Sequence, residues 1–216
     1  MTLMERITAD SMDLYEAAAA EPFLEELGRG TLDRTRFLDY IVQDSIYLRD
    51  YMKAFAMGMF RSRTLRDMQF FYSVLGFVND SENATRLGYL ADGGLTDDDV
   101  ERMGKRKACS DYTGFLIQIA EKGSLEEILM AVMPCMTGYE YVFGRTLERH
   151  PEVLDTYYGP LVRDYTSSFY SECCREWEAY CDKVCGDYPD KARLSSIFRE
   201  AARHELMFWK MAGGEE

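Results

Sequence analysis

Apolar residues recur along this chain at steps of three and four, segment after segment, and nowhere in a convincing strict alternation. Residues 3–20 form a first amphipathic segment, ended at Glu21-Pro22 because proline disfavours the helical state of the residue before it. Phe23, Leu24 and Leu27 then pack a short turn that stops at Gly28-Arg29-Gly30. Thr31 is the expected N-cap of a long second helix running from Leu32 to about Arg61. A third begins after Thr64, reaches about Leu90 and closes at Ala91-Asp92-Gly93-Gly94. Thr96, followed by Asp97, Asp98 and Asp99, sets acids on the positive end of a short helix. Ser110 is the expected cap of a fifth, ending at Gly123. Ser124-Leu125-Glu126-Glu127 is a capping box for the next helix, which continues past Phe143 until His150-Pro151 interrupts it. A long segment from Tyr158 to Cys185 stops at Gly186, and a last helix spans about Asp190 to Met211. The expectation is an all-α, single-domain compact helical bundle over residues 1–216, without linker or repeat.

Composition narrows the function classes. With 216 residues, 47% of them hydrophobic, the chain can bury a proper core without staples. A net charge of −13 argues against nucleic acid and anionic membrane surfaces as partners. No apolar run approaches the roughly 18 residues that a membrane span needs. Glu5, Arg6, Asp10 and Asp13 do not read as a signal peptide, and six cysteines in such a chain suggest reduced thiols in a cytoplasm.

The stretch Met133-Pro134-Cys135-Met136-Thr137-Gly138-Tyr139 breaks the plain pattern. It lies on a helical stripe of Leu125, Ile128, Leu129, Val132, Cys135 or Met136, Tyr139 and Val142. A proline inside that helix removes a backbone hydrogen bond and costs roughly 3 kcal/mol. Cys135 is either an inert thiol in a kinked core helix or a positioned nucleophile.

Two carboxylates bear on that choice. In the second helix Asp44 lies among Phe37, Tyr40, Ile41, Tyr47, Leu48 and Tyr51. In the last, Glu205 lies among Leu194, Phe198, Ala201, Phe208 and Ala212. A carboxylate taken out of water costs several kcal/mol unless it is paired, hydrogen-bonded or protonated. Each could pair with a buried arginine or tyrosine hydroxyl. Three stripes that converge on acid, acid and thiol favour a site instead. Tyr47, Tyr112 and Tyr139 add phenols able to stack on a flat ring and hydrogen-bond its edge.

Other constellations are weaker. Cys173, Cys174, Cys181 and Cys185 share one helical segment without a CxxC pair and read as small fillers rather than metal ligands. His204 points roughly 100° around the helix from Glu205, toward a neighbouring helix or solvent. There is no P-loop, GxGxxG or GxSxG.

At this point the chain resembles the TenA/thiaminase II family. The matching elements are Phe37-x-x-Tyr40-x-x-Gln43-Asp44-x-x-Tyr47-Leu48, Tyr112, Met133-Pro134-Cys135-x-x-x-Tyr139, Tyr158 with Tyr165, and Glu205-x-x-Phe208-Trp209. They span roughly residues 23 to 212, and their order and spacing are specific where each alone is weak. The resemblance implies a haem oxygenase-like fold and a hydrolase of thiamin salvage. Its substrate would be 4-amino-5-aminomethyl-2-methylpyrimidine, converted to the hydroxymethyl compound and ammonia, with slower cleavage of thiamin itself. It further implies Cys135 as nucleophile, Glu205 as general acid and base, and Asp44 on the amidine-like edge of the ring. Tyr47, Tyr112, Tyr139 and Tyr165 would shape the pocket. No metal or organic cofactor is implied, and the assembly would be a homotetramer.

Three departures touch the periphery. Leu161-Val162 stand where members often carry Trp-Ile, and Met136-Thr137 replace an aromatic pair. Many members have a histidine about four residues after a glutamate in the third helix, where Glu82 is followed here by Arg86. Two readings of other classes stand beside the hydrolase. One is a metal- or haem-dependent oxygenase on the same scaffold, against which the presence of only two histidines counts. The other is a protein that binds an aminopyrimidine without turning it over.

Overall fold

A computed structural model describes residues 1–215, with the side chains of 74–83 left aside. The order is α1 (Leu3–Ala9), α2 (Met12–Ala19), α3 (Pro22–Gly28), α4 (Arg34–Arg61), α5 (Leu65–Asp92) and α6 (Asp97–Val100). It continues with α7 (Lys107–Lys122), α8 (Leu125–Arg149), a 3₁₀ turn (Pro151–Asp155), α9 (Gly159–Tyr165), α10 (Ser168–Cys185) and α11 (Lys191–Ala212). No strand occurs among the described residues, as the missing period-two pattern predicts.

Several boundaries sit where local chemistry places them. Thr64 caps α5, Thr96 closes a capping box with Asp99, and Ser124 closes one with Glu127. Others differ from expectation. Asp33, not Thr31, caps α4, because its carboxylate accepts from the amides of Thr35 and Arg36 at 3.0 Å each. Thr31 instead belongs to the turn, just after Gly30 at φ 70°, a left-handed conformation that favours glycine. The first segment is two helices: Arg199 donates to the Asp10 carbonyl at 2.6 Å and pairs with Asp13, fastening the break to α11. The segment from Tyr158 is also two, because the Ser167 hydroxyl accepts from the Tyr170 amide and restarts the helix as α10. Helix α7 begins before Ser110, at Lys107, with the Arg106 amide donating to the Gln43 side chain at 2.8 Å.

Helix α8 is the axis of the bundle. It packs against α2, α4, α7, α10 and α11, so its sequence is buried on almost every side. It runs through Pro134 without ending. Around the proline, side chains take up backbone carbonyls. Tyr51 donates to Val132 O at 3.0 Å, Thr137 to Met133 O at 3.1 Å and Tyr170 to Met136 O at 3.1 Å. Hydroxyls from α4, α8 and α10 thereby hold the turn that carries Cys135.

Candidate active site

Cys135 is only half-buried, although Ala131–Pro134 and Met136–Tyr139 on either side of it are buried. One side chain in an otherwise closed stretch of helix thus stays partly exposed. Glu205, brought by α11, is 4% exposed. Burial pushes its carboxyl up to about 8, while the nearby Tyr112 hydroxyl and Cys135 thiol favour the anion. Tyr112 approaches loosely: its hydroxyl, the Tyr47 hydroxyl and Glu205 Oε1 are buried with no hydrogen-bond partner among the described residues. Unmade hydrogen bonds of this kind cost about 1–3 kcal/mol each. Three such atoms beside one thiol have the character of a site prepared for a polar ligand.

Asp44 faces the same space from α4. Its Oδ1 accepts from the Tyr139 hydroxyl at 2.9 Å, and Tyr139 in turn accepts from Tyr40 at 3.2 Å. Burial raises Asp44 to about 6, against the opposing pull of the Tyr139 bond and the positive charge of Arg86. Pairing with a tyrosine hydroxyl is therefore real for Asp44, but one phenol leaves most of a carboxylate's acceptor capacity free.

Rings wall the space. Tyr47 and Tyr112 lie 4.8 Å apart at 34°, and Phe208 is 5.8 Å from Tyr47. Tyr139 contacts Tyr165 at 4.8 Å, and Tyr165 lies parallel to Phe143 at 5.0 Å. The fold thus gathers Cys135, Glu205, Asp44, Tyr47, Tyr112 and Tyr139. Tyr165 joins through the ring of Tyr139.

Some contributors carry no local signal. Gln43, next to Asp44, donates to Gly104 O at 3.1 Å and accepts from the Arg106 amide, tying α4 to the start of α7. Thr137, in one of the departures from the family pattern, shares a 2.7 Å hydrogen bond with the buried Tyr15. Arg86 pairs with Asp97 at 2.8 Å and donates to Ser45 at 2.9 Å, while the Glu82 side chain lies outside the described residues. On α10, Cys173 is half-buried and Cys174, Cys181 and Cys185 are buried, each with its thiol pushed up by desolvation; Cys174 lies against Met136 O at 3.8 Å. His150 lies between Glu25 and Glu152, and His204 stacks on Tyr112.

An all-α bundle built on one axial helix, with a thiol and two buried carboxyls inside it, has close structural relatives. A domain from Shewanella denitrificans described as having a heme oxygenase-like fold superposes with a TM-score of 0.76 at 14% identity, covering 96% of this chain and 90% of that one. A TenA homologue from P. horikoshii superposes with a TM-score of 0.88 at 24% identity over 99% of each chain. An aminopyrimidine aminohydrolase from Halalkalibacterium halodurans is 28% identical over 219 residues, which cover 100% of this chain and 97% of its own. The profile of the TENA/THI-4/PQQC family matches residues 10–215, and the chain belongs to that family.

Proposed function

We propose that the protein is an aminopyrimidine aminohydrolase of the thiaminase II type, with residues 1–216 acting as one domain. It converts 4-amino-5-aminomethyl-2-methylpyrimidine to the 5-hydroxymethyl compound and ammonia, and cleaves thiamin more slowly. The observation that carries this reading is the Cys135 thiol set against a buried, high-pKa Glu205 carboxyl. The full-length likeness to an aminopyrimidine aminohydrolase supports it.

Asp44 and the ring nitrogen share one proton, so that the carboxylate accepts from the ring N–H and from the amino group, a two-point charged clamp stronger than neutral hydrogen bonds. As sulfur bonds to a ring carbon, the thiol proton passes to the Glu205 carboxylate. The displaced electron pair settles on the ring nitrogen, which takes a proton from the Asp44 side. That pair then returns and expels the exocyclic amine, which leaves as ammonia with the Glu205 proton. Water adds to the methylene left behind, returning its proton to Glu205. Sulfur departs and regains a proton, while Asp44 recovers its own. One carboxyl serves twice, as its pKa of about 8 near neutral working pH suits.

On the same reading the enzyme works in the cytoplasm as a homo-oligomer, a tetramer by family resemblance. Exposed Phe60, Leu65 and Tyr72 support subunit contacts. Ammonia release from the aminomethylpyrimidine tests the reaction. The wild-type chain should turn over, and Cys135→Ser should not. A wild-type chain that binds the pyrimidine but releases no ammonia would leave a binding protein.

A further inference from the structure

Outside the reacting groups, one aromatic contact is aimed at the catalytic carboxyl. The His204 ring lies face to face with Tyr112, centroids 5.3 Å apart and planes within 7°. Phe115 packs against His204 at 5.1 Å and 38°. Tyr112 thereby packs against two rings, His204 and, at 4.8 Å, Tyr47. The Tyr112 hydroxyl is the one that approaches Glu205 without a fixed hydrogen bond. With no hydrogen bond of good geometry at its hydroxyl, the phenol relies on the rings packed against it for its position.

Behind the clasp lies solvent. A cleft of about 210 Å³ between α7 and α11, lined by Ala108, Met207 and Met211 among others, reaches His204, whose side chain is 19% exposed. His204 is thus the outer wall of Tyr112. Burial keeps the imidazole below its ordinary pKa, against the pull of Glu200 on its own helix and Asp111 on α7 and with the help of Arg203. A neutral ring stacks on a phenol without drawing charge toward the nearby carboxyl.

We propose that His204 is a positioning residue: as a flat ring clasped between Phe115 and Tyr112, it fixes the Tyr112 hydroxyl beside Glu205. The inference rests on the hydrolase reading for its rate effect, but it makes a second claim that needs no turnover. A phenol held near Glu205 favours the carboxylate that takes the Cys135 proton.

The variants are His204→Ala, His204→Phe, Tyr112→Phe and the double His204→Ala/Tyr112→Phe, each checked for folding by thermal melting. His204→Ala should lower kcat about tenfold with KM within about twofold, the scale expected when an aromatic pair of this kind is lost. His204→Phe, which keeps the flat ring, should stay within about twofold of wild type. In the Tyr112→Phe background His204→Ala should cost nothing further, because its effect runs through that hydroxyl. The pH profile of iodoacetamide labelling at Cys135 should move to higher pH in His204→Ala and stay in place in His204→Phe.

Additive losses in the double variant would overturn the proposal, as would a His204→Phe variant as slow as His204→Ala. If wild type releases no ammonia, the hydrolase reading fails and the labelling profile still decides: an unmoved profile in His204→Ala sinks the positioning role, a shifted one keeps it.

Discussion

Of the helices that carry cysteines, α8 and α10 hold theirs in different settings. On α10, Cys174, Cys181 and Cys185 are at most 1% exposed, and burial pushes the Cys185 thiol up to about 12. Cys174 lies against a backbone carbonyl, Met136 O, at 3.8 Å. On α8, Cys135 stays half-buried and shares a hydrogen bond with a carboxyl. These three buried α10 thiols sit as small hydrophobes, which is the common fate of cysteine, while Cys173 on the same helix is half-buried. What separates Cys135 from the three buried thiols is access together with a neighbouring buried carboxyl, and reactivity follows thiolate fraction and approach. Residue type alone carries neither.

The sharpest way to break that contrast is to remove the base. Glu205→Gln leaves Cys135 open but without its proton acceptor, so turnover should fall on the order of 10² to 10⁴ while pyrimidine binding persists. Thiamin should lose less than the aminomethylpyrimidine, because its thiazole leaves without needing a proton. Single-turnover kinetics on both compounds checks this. Small, equal losses would move the proton role to another group.

Alkylation compares the thiols directly. Under limiting iodoacetamide, peptide mapping should find Cys135 labelled at least about tenfold faster than Cys174, Cys181 or Cys185. Preferential labelling of the α10 thiols with activity intact would collapse the distinction.

Asp44→Asn sharpens the other side of the site. Loss of one charged, buried hydrogen bond should weaken hydroxymethylpyrimidine binding by about 1.5–3 kcal/mol, roughly ten- to a hundredfold by calorimetry. Unchanged affinity would make Asp44 a structural partner of Tyr139 and no more.

A further effect is on stability. Glu205 has an ordinary pKa of 4.5 and rises to about 8 in the fold. Between those values the folded chain holds a proton that the unfolded chain has released. The stabilisation is full below the ordinary pKa and is lost as pH rises through the folded one. Denaturant titrations should therefore show Glu205→Gln gaining on the order of 1–4 kcal/mol over wild type between pH 5 and pH 9. A difference independent of pH would mean that the buried carboxyl does not titrate as described.

Much of the site was legible because burial leaves a periodic trace. Asp44 and Glu205 interrupt apolar stripes, and both prove buried, at 7% and 4% exposure. The capping boxes at Thr96 and Ser124 are local chemistry, and they form as read. The illegible parts are settled by distant partners. Asp33 outcompetes Thr31 only once the turn at Gly30 is made. Arg199, 186 residues from Asp13, fastens the break in the first segment. Gln43 looks like any polar neighbour of Asp44 until Gly104 and Arg106 arrive beside it. The pattern of α11 points His204 toward a neighbouring helix or solvent, but the ring it meets cannot be read from α11 alone.

The carbonyls around Pro134 have one more implication. Tyr51, Thr137 and Tyr170 grip the backbone of that turn and leave the Cys135 side chain untouched. Scaffold and reagent are therefore separable inheritances. A lineage could trade the sulfur for another group by a single codon change, and the cradle built for it would remain standing, ready to be given different work.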